Sequence, residues 1–234
     1  AVIPIIAGGR VAGKQGKLSV GALNMQTSEA VDAKTPATNF TVLRVKRDVL
    51  RRSSIGAMVT NRSQSAVLKG ASNQAYGVDG TFSFFNNLFM GGYYARTETS
   101  GVTGDNESYQ AKLDWAPDRY GAQFEHVKSG AAFNPEAGFL RRKDFDRSFG
   151  EVRYSPRLTS VKGVRQITMT ANVEYIEGST SGRMESRQQN ARINVERENS
   201  DQFSLEGGTN FEFLAAPFRV AAGVVIPPDR KSTR

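Results

Sequence analysis

The sequence predicts an all-β chain: an antiparallel transmembrane β-barrel of the outer-membrane type, incomplete, with about 12–14 strands. Three observations predict it. Apolar and polar residues alternate with period two through most of the chain. The alternating runs are roughly ten residues long, which a tilted strand needs to cross a bilayer, whereas soluble strands are usually about half that. Short connections alternate with long ones, as in outer-membrane barrels.

The elements follow in order. The chain opens on Ala1-Val2-Ile3-Pro4-Ile5-Ile6, a strand-like run with no signal peptide before it, and reads as a segment of a longer precursor. Tyr76, Val78, Gly80, Phe82 and Phe84 oppose Gly77, Asp79, Thr81 and Ser83. Asn86-Asn87 then predicts a two-residue hairpin turn, because Asn tolerates positive φ. The return strand sets Leu88, Met90, Gly92 and Tyr94 against Phe89, Gly91, Tyr93 and Ala95. It is apolar on both sides, so its orientation stays open. Tyr109, Ala111, Leu113 and Trp115 oppose Gln110, Lys112 and Asp114, and Pro117-Asp118-Arg119 makes a tight turn. Tyr120, Ala122 and Phe124 oppose Gly121, Gln123 and Glu125. Ile167, Met169, Ala171, Val173 and Tyr175 oppose Gln166, Thr168, Thr170, Asn172 and Glu174. Ala191, Ile193 and Val195 oppose Arg192, Asn194 and Glu196, and Phe203 and Leu205 oppose Ser204 and Glu206. Short connections fall near 15–16, 50–52, 86–87, 117–119 and 198–200. Long ones fall near 28–38, 63–74, 99–107, 128–146 and 179–184. Tyr94, Trp115, Tyr120, Tyr154 and Tyr175 cap apolar rows, as interfacial girdles do. One barrel segment is expected over 1–228, with 229–234 a truncated or disordered tail.

Composition narrows the chemistry. The 234 residues include no cysteine, which excludes disulfides, thiolate metal sites and a cysteine nucleophile. One histidine, His126, cannot assemble a histidine zinc site, and no metal or cofactor is expected. A net charge of +8 suits anionic lipid, polysaccharide or nucleic acid. Mean hydropathy is −0.44, which a barrel with one polar face per strand also produces.

Each motif has a plain reading beside a chemical one. Gly8-Gly9-Arg10-Val11-Ala12-Gly13-Lys14 has P-loop spacing, but Gln15 stands where Ser or Thr should hold magnesium, so two strands joined by a Gly-Lys-Gln-Gly turn are expected. His126 lies in phase with Phe124, with Glu125 on the opposite face, so an interfacial histidine is expected over a general base. The polar rows carry Asp79, Lys112, Asp114, Glu125, Arg153, Glu174, Arg192 and Glu206. These are costly in a dry core and natural in a wet lumen, where they form a mixed-charge network. A carboxylate pair among them for glycoside hydrolysis is the alternative. No catalytic residue is assigned.

Residues 133–147 are the most distinctive stretch. Asn134-Pro135 begins a turn and Gly138 permits another. Phe133, Glu136, Phe139, Arg141, Arg142, Lys143 and Asp144 either bind sugars or lipid phosphates, or fold over the barrel with the arginines paired to lumenal carboxylates. Nucleic acid is not an expected partner, because basic residues form no single stripe.

A resemblance joins these blocks. Gly9-Arg10-Val11-Ala12-Gly13-Lys14, then Thr38-Asn39-Phe40-Thr41-Val42-Leu43-Arg44-Val45-Lys46-Arg47-Asp48, Ser54-Ile55-Gly56, Gly77-Val78-Asp79 and Phe133-Asn134-Pro135-Glu136-Ala137-Gly138-Phe139-Leu140-Arg141-Arg142 together resemble the bacterial domain-of-unknown-function family 5916, in order and spacing, over residues 5–228. The resemblance implies an outer-membrane barrel that commonly follows a signal peptide and a carbohydrate-binding domain similar to family 9. It carries over no catalytic residues. Further strands and a terminal aromatic are expected beyond Pro227-Pro228.

The resulting expectation is a bacterial outer-membrane barrel acting as a pore or membrane anchor in glycan binding or uptake, with the 133–147 loop constricting or gating it. Its partners would be outer-membrane lipid, lipopolysaccharide and oligosaccharide. An outer-membrane hydrolase acting on glycan or lipid and a soluble β-rich interaction protein are the alternatives.

Overall fold

A computed structural model describes residues 2–31, 34–158, 160–214, 217–221, 224–226 and 230–233. Twelve long strands carry the fold. They are β1 (Ile5–Gln15), β2 (Leu18–Thr27), β3 (Thr38–Leu50), β4 (Ser53–Arg62), β5 (Asn73–Phe84), β6 (Leu88–Thr99), β7 (Glu107–Trp115), β8 (Tyr120–Ser129), β9 (Phe145–Tyr154), β10 (Val164–Glu177), β11 (Met184–Arg197) and β12 (Gln202–Phe213). They are hydrogen-bonded neighbours in chain order. A separate hairpin joins β13 (Phe218–Ala221) to β14 (Val224–Ile226), and β15 (Arg230–Thr233) pairs antiparallel with β12. Among the described residues no α-helix occurs.

Period-two alternation explains the strands, and glycine explains the first turn. Gly16, at φ 57°, lies in the left-handed region between β1 and β2. The Gly8–Lys14 spacing lies wholly inside β1, so the P-loop geometry is absent. The turn at 85–87 differs from expectation. Phe85, not Asn86 or Asn87, takes the left-handed conformation, at φ 55°. Residues 230–233 form a strand, while 229 and 234 lie outside the described residues.

The chain divides into two compact units. Unit 1 comprises Ala1–Phe84, Met90–Ala111 and Lys128–Asp144; unit 2 comprises Phe85–Phe89, Lys112–Val127 and Phe145–Arg234.

In unit 1, cross-strand register sorts residues onto two faces, because directly opposed residues share a face. On one, Val20 opposes Val45, Val45 opposes Ala57 and Ala57 opposes Val78. These apolar side chains are not packed away: Val20 is 46% and Val78 57% exposed. The other face carries Ser19, Lys46, Gly56 and Asp79 in one row, and Met25, Phe40, Arg62 and Asn73 in another. The open orientation of β6 is resolved by Gly77. A Cβ there would lie 3.0 Å from the Ala95 Cβ. Ala95 and Tyr93 therefore share the polar face, and Gly92 and Tyr94 the apolar one.

Unit 2 repeats the division. Tyr154, Met169, Ile193 and Leu205 form one apolar row, with Leu205 73% exposed. Arg153, Thr170, Arg192 and Glu206 form a polar row on the other face. Burial is inverted relative to a sandwich. The fully buried residues are chiefly Ser, Thr and Asn, and the buried hydrophobes are Ala71, Ala75 and Phe133. Two packed sheets would have buried the valine and leucine rows instead.

Candidate functional site

The most constructed place in the molecule is the polar face of unit 1, where residues 130–140 are fastened. The β7–β8 strand ends position the segment. The Gly130 and Ala132 amides donate to the Glu107 and Asp105 carbonyls at 2.9 and 2.8 Å, and Lys128 Nζ lies 3.0 Å from Asp105 Oδ2. Phe133 is buried. Pro135 then starts a turn closed by the Gly138 amide donating to the Pro135 carbonyl at 2.9 Å.

Asn73, at the start of β5, is almost wholly buried and serves the loop backbone from both ends of its amide. Its Nδ2 donates to the Asn134 carbonyl at 2.9 Å and to Thr99 Oγ1 at 2.8 Å, and its Oδ1 accepts from the Glu136 amide at 3.0 Å. Thr97 Oγ1 accepts from the Asn134 amide at 3.0 Å. The Glu136 carboxylate is the second fastening, with a side chain only 3% exposed. It accepts from Ser65 Oγ and from the Ala66 amide, each at 2.6 Å. Arg62 Nη1 stands 3.4 Å from it. The Arg62 guanidinium also lies over the Phe40 ring, 5.5 Å from its centroid. The buried Arg62 Nε makes no hydrogen bond among the described residues. A buried carboxylate with one cation and several donors is well compensated, and removing it strands every one of them.

Below the loop, Arg44 grips Asp79 through both terminal nitrogens, Nη2 reaching Oδ1 at 2.8 Å. Gly56 makes room for this pair, since a Cβ there would meet Arg44 Nη2 at 2.8 Å. A cavity of about 330 Å³ remains between loop and wall, lined by Arg44, Met58, Tyr93, Phe133, Pro135 and Leu140. Phe139 also lines it while remaining 87% exposed.

The residues singled out from sequence fall into distinct places. Asn134 and Glu136 are brought together on Asn73, and Asp79 lies on the same face. Arg141 and Arg142 are exposed; Asp144 is half-buried and left-handed, at φ 58°. A loop carboxylate, Glu136, reaches a wall arginine, Arg62. In unit 2, Arg147 joins Glu174 at 2.6 Å and Glu125 at 3.6 Å, and Arg192 joins Glu206 through Nε at 3.0 Å. Lys112 and Asp114 are half-buried on the polar row of β7. Arg153 is engaged by backbone carbonyls. Its guanidinium donates to the Pro117, Asp118 and Tyr120 carbonyls at 2.6, 3.0 and 2.9 Å, tying down the 117–119 turn. His126 Nδ1 lies 3.0 Å from Ser148 Oγ, while Glu125 meets Arg147 on the other face.

Asp79, Glu125, Glu174 and Glu206 each have an arginine partner, which suits a structural network better than an acid–base pair. Among the described residues no cluster of three or more His, Cys, Asp or Glu side chains stands ready for a metal.

Sequence reasoning missed Arg62, Ser65, Asn73 and Thr97. Their partners lie dozens of residues further along the chain, so no local signal marks them. Some stretches singled out in the sequence meet here. Phe40 supports Arg62, Arg44 and Asp79 form the floor, and the 133–138 stretch is the part fastened. Compared with known proteins, the chain matches no family model, no curated protein and no solved structure.

Proposed function

We propose that this chain builds part of an outer-membrane β-barrel, a membrane anchor or constricted pore, in which residues 130–140 narrow the lumen. One observation carries the reading. Across β2–β5 and again across β9–β12, apolar rows stand exposed on one face while the opposite face holds ion-paired charges. Exposed aliphatic rows are unfavourable in water and at home against lipid tails. Charged rows need water or partners, and a lumen supplies both.

Aromatic side chains at strand ends support it. Tyr120 and Tyr154 stack with centroids 5.3 Å apart, and these two and Trp115 are each more than a third exposed, as interfacial residues are. The seated loop favours a narrowed passage over an open one. A role in glycan binding or uptake follows from the resemblance to family 5916 and stands on that alone.

The test is gel mobility of the protein expressed from its own gene and extracted from outer membranes. A folded form running apart from the boiled form is expected, and planar-bilayer conductance then separates pore from anchor. Recovery as a water-soluble protein with no mobility shift would overturn the reading.

A further inference from the structure

The two short turns of unit 1 carry a concentration of positive charge that the proposed function leaves unused. Lys14 and Lys17 flank the β1–β2 turn; Lys46, Arg47, Arg51 and Arg52 flank the β3–β4 turn. The turns are held side by side. Leu18 opposes Arg47, Ser19 opposes Lys46, and the Asp48 amide donates to the Lys17 carbonyl at 2.8 Å. All six cations are exposed. One carboxylate stands among them, Asp48, and Lys14 Nζ occupies it at 2.7 Å.

Where the basic cluster ends, an apolar one begins. Arg47 shares its face with Leu18 and Ile55, and Val20, Val45 and Leu50 continue it, all between 42% and 55% exposed. At the short-turn ends of unit 2, Arg157 pairs with Asp118, Arg165 with Glu196 and Arg197 with Asp201.

From this juxtaposition we infer that the β1–β2 and β3–β4 turns form a docking rim for anionic phospholipid headgroups. The inference rests on the barrel reading. A bilayer edge presents phosphates in a plane directly above hydrocarbon, and here Arg47 stands beside exposed Leu18 and Ile55 with Arg51 and Arg52 at the adjoining turn, while Lys14 and Lys46 lie on the opposite, polar face. Long basic side chains at such a border extend their heads to the phosphates and lay their stems on the acyl region. Each basic residue near an anionic leaflet raises affinity by about fivefold. Single-stranded nucleic acid fits less well, because no aromatic residue interleaves these six cations for bases to stack on.

The experiment measures incorporation of the refolded protein into phosphatidylcholine vesicles with and without phosphatidylglycerol. Three variants accompany it: R47Q/R51Q/R52Q, R47K/R51K/R52K, and R157Q/R165Q/R197Q. The expected result is a gain of tenfold or more from phosphatidylglycerol at low salt, lost at ~0.5 M salt. The first variant should lose that gain, and the other two should keep it. Equal incorporation with and without phosphatidylglycerol, with a normal mobility shift on heating, overturns the rim and leaves the barrel standing. Loss of the gain in the third variant as well as the first also overturns it, because net charge alone would then explain the effect. Displacement by inorganic phosphate, beyond that by chloride at equal ionic strength, would assign the cations to a soluble anion instead. Absence of the heat shift together with salt-sensitive surface binding to phosphatidylglycerol would sink the barrel reading and keep the rim.

Discussion

The polar faces of the two units solve one problem in opposite ways. Unit 1 covers its face with a segment of the chain, held by neutral amide and hydroxyl bonds around a single buried carboxylate. Unit 2 balances charge along its strands, Arg147 between Glu125 and Glu174 and Arg192 beside Glu206. The first arrangement is buried and unforgiving; the second is half-exposed and tolerant. Burial decides the difference, because a polar group that loses its partner away from water has nothing to replace it.

The largest effect is expected at Glu136. Glu136→Ala takes the counter-charge from the buried Arg62 guanidinium and the acceptor from the Ser65 hydroxyl and the Ala66 amide, at a cost of about 3–5 kcal/mol. Limited proteolysis should cut within 130–144 at least about a hundredfold faster, since cleavage tracks the population of the open loop. Unchanged cutting would mean the carboxylate fastens nothing. Asn73→Ala removes two donated bonds and one accepted bond, and a smaller destabilisation of about 2–3 kcal/mol is expected by the same assay. Under the pore reading both variants should raise single-channel conductance.

Glycine gives the next contrast. A Cβ on Gly77 would lie 2.8 Å from the Tyr94 carbonyl, whereas one on Gly207 meets nothing within 4 Å. Gly77→Ala should lower stability by about 1–3 kcal/mol in urea unfolding. Gly207→Ala should be neutral or slightly stabilising, because it only restricts the unfolded chain. Equal effects would show the close approach in unit 1 to be readily relaxed.

The smallest effects belong to the exposed charges. Arg192→Met removes a pair roughly half exposed on both sides, and at most about 0.5 kcal/mol is expected, vanishing in high salt. Arg147→Met should cost more, about 1 kcal/mol, because it takes the arginine from the partly covered Glu174 carboxylate and one contact from Glu125. A larger loss at Arg192 than at Arg147 would contradict the argument from burial.

Most of the strands were legible in the sequence, since alternation is a local property and every second residue of β5 or β10 declares its face. The turn at 117–119 was legible for the same reason, its proline and aspartate acting within a few residues. What was not legible depends on distant partners. Nothing near Asn73 announces that its amide waits for residues 134 and 136. Arg153 reads as a charge on a polar row, yet its donors close a turn more than thirty residues earlier. Phe85 was passed over for Asn86 because intrinsic tolerance of positive φ favours asparagine. The pairing of β5 with β6 sets which residue bends instead.

The fastening of residues 133–136 also has a consequence in time. Every group that holds this stretch precedes it in the chain, some by 61 to 71 positions. The segment has no site to enter until β4, β5 and β6 have paired, because Arg62, Asn73 and Thr97 converge only across those strands. Closing so long a span is entropically slow, and contacts of this kind form after local hairpins. The loop is therefore a late arrival in folding. Pulse-labelled hydrogen exchange should find the Glu136 amide protected after the amides of β4 and β5.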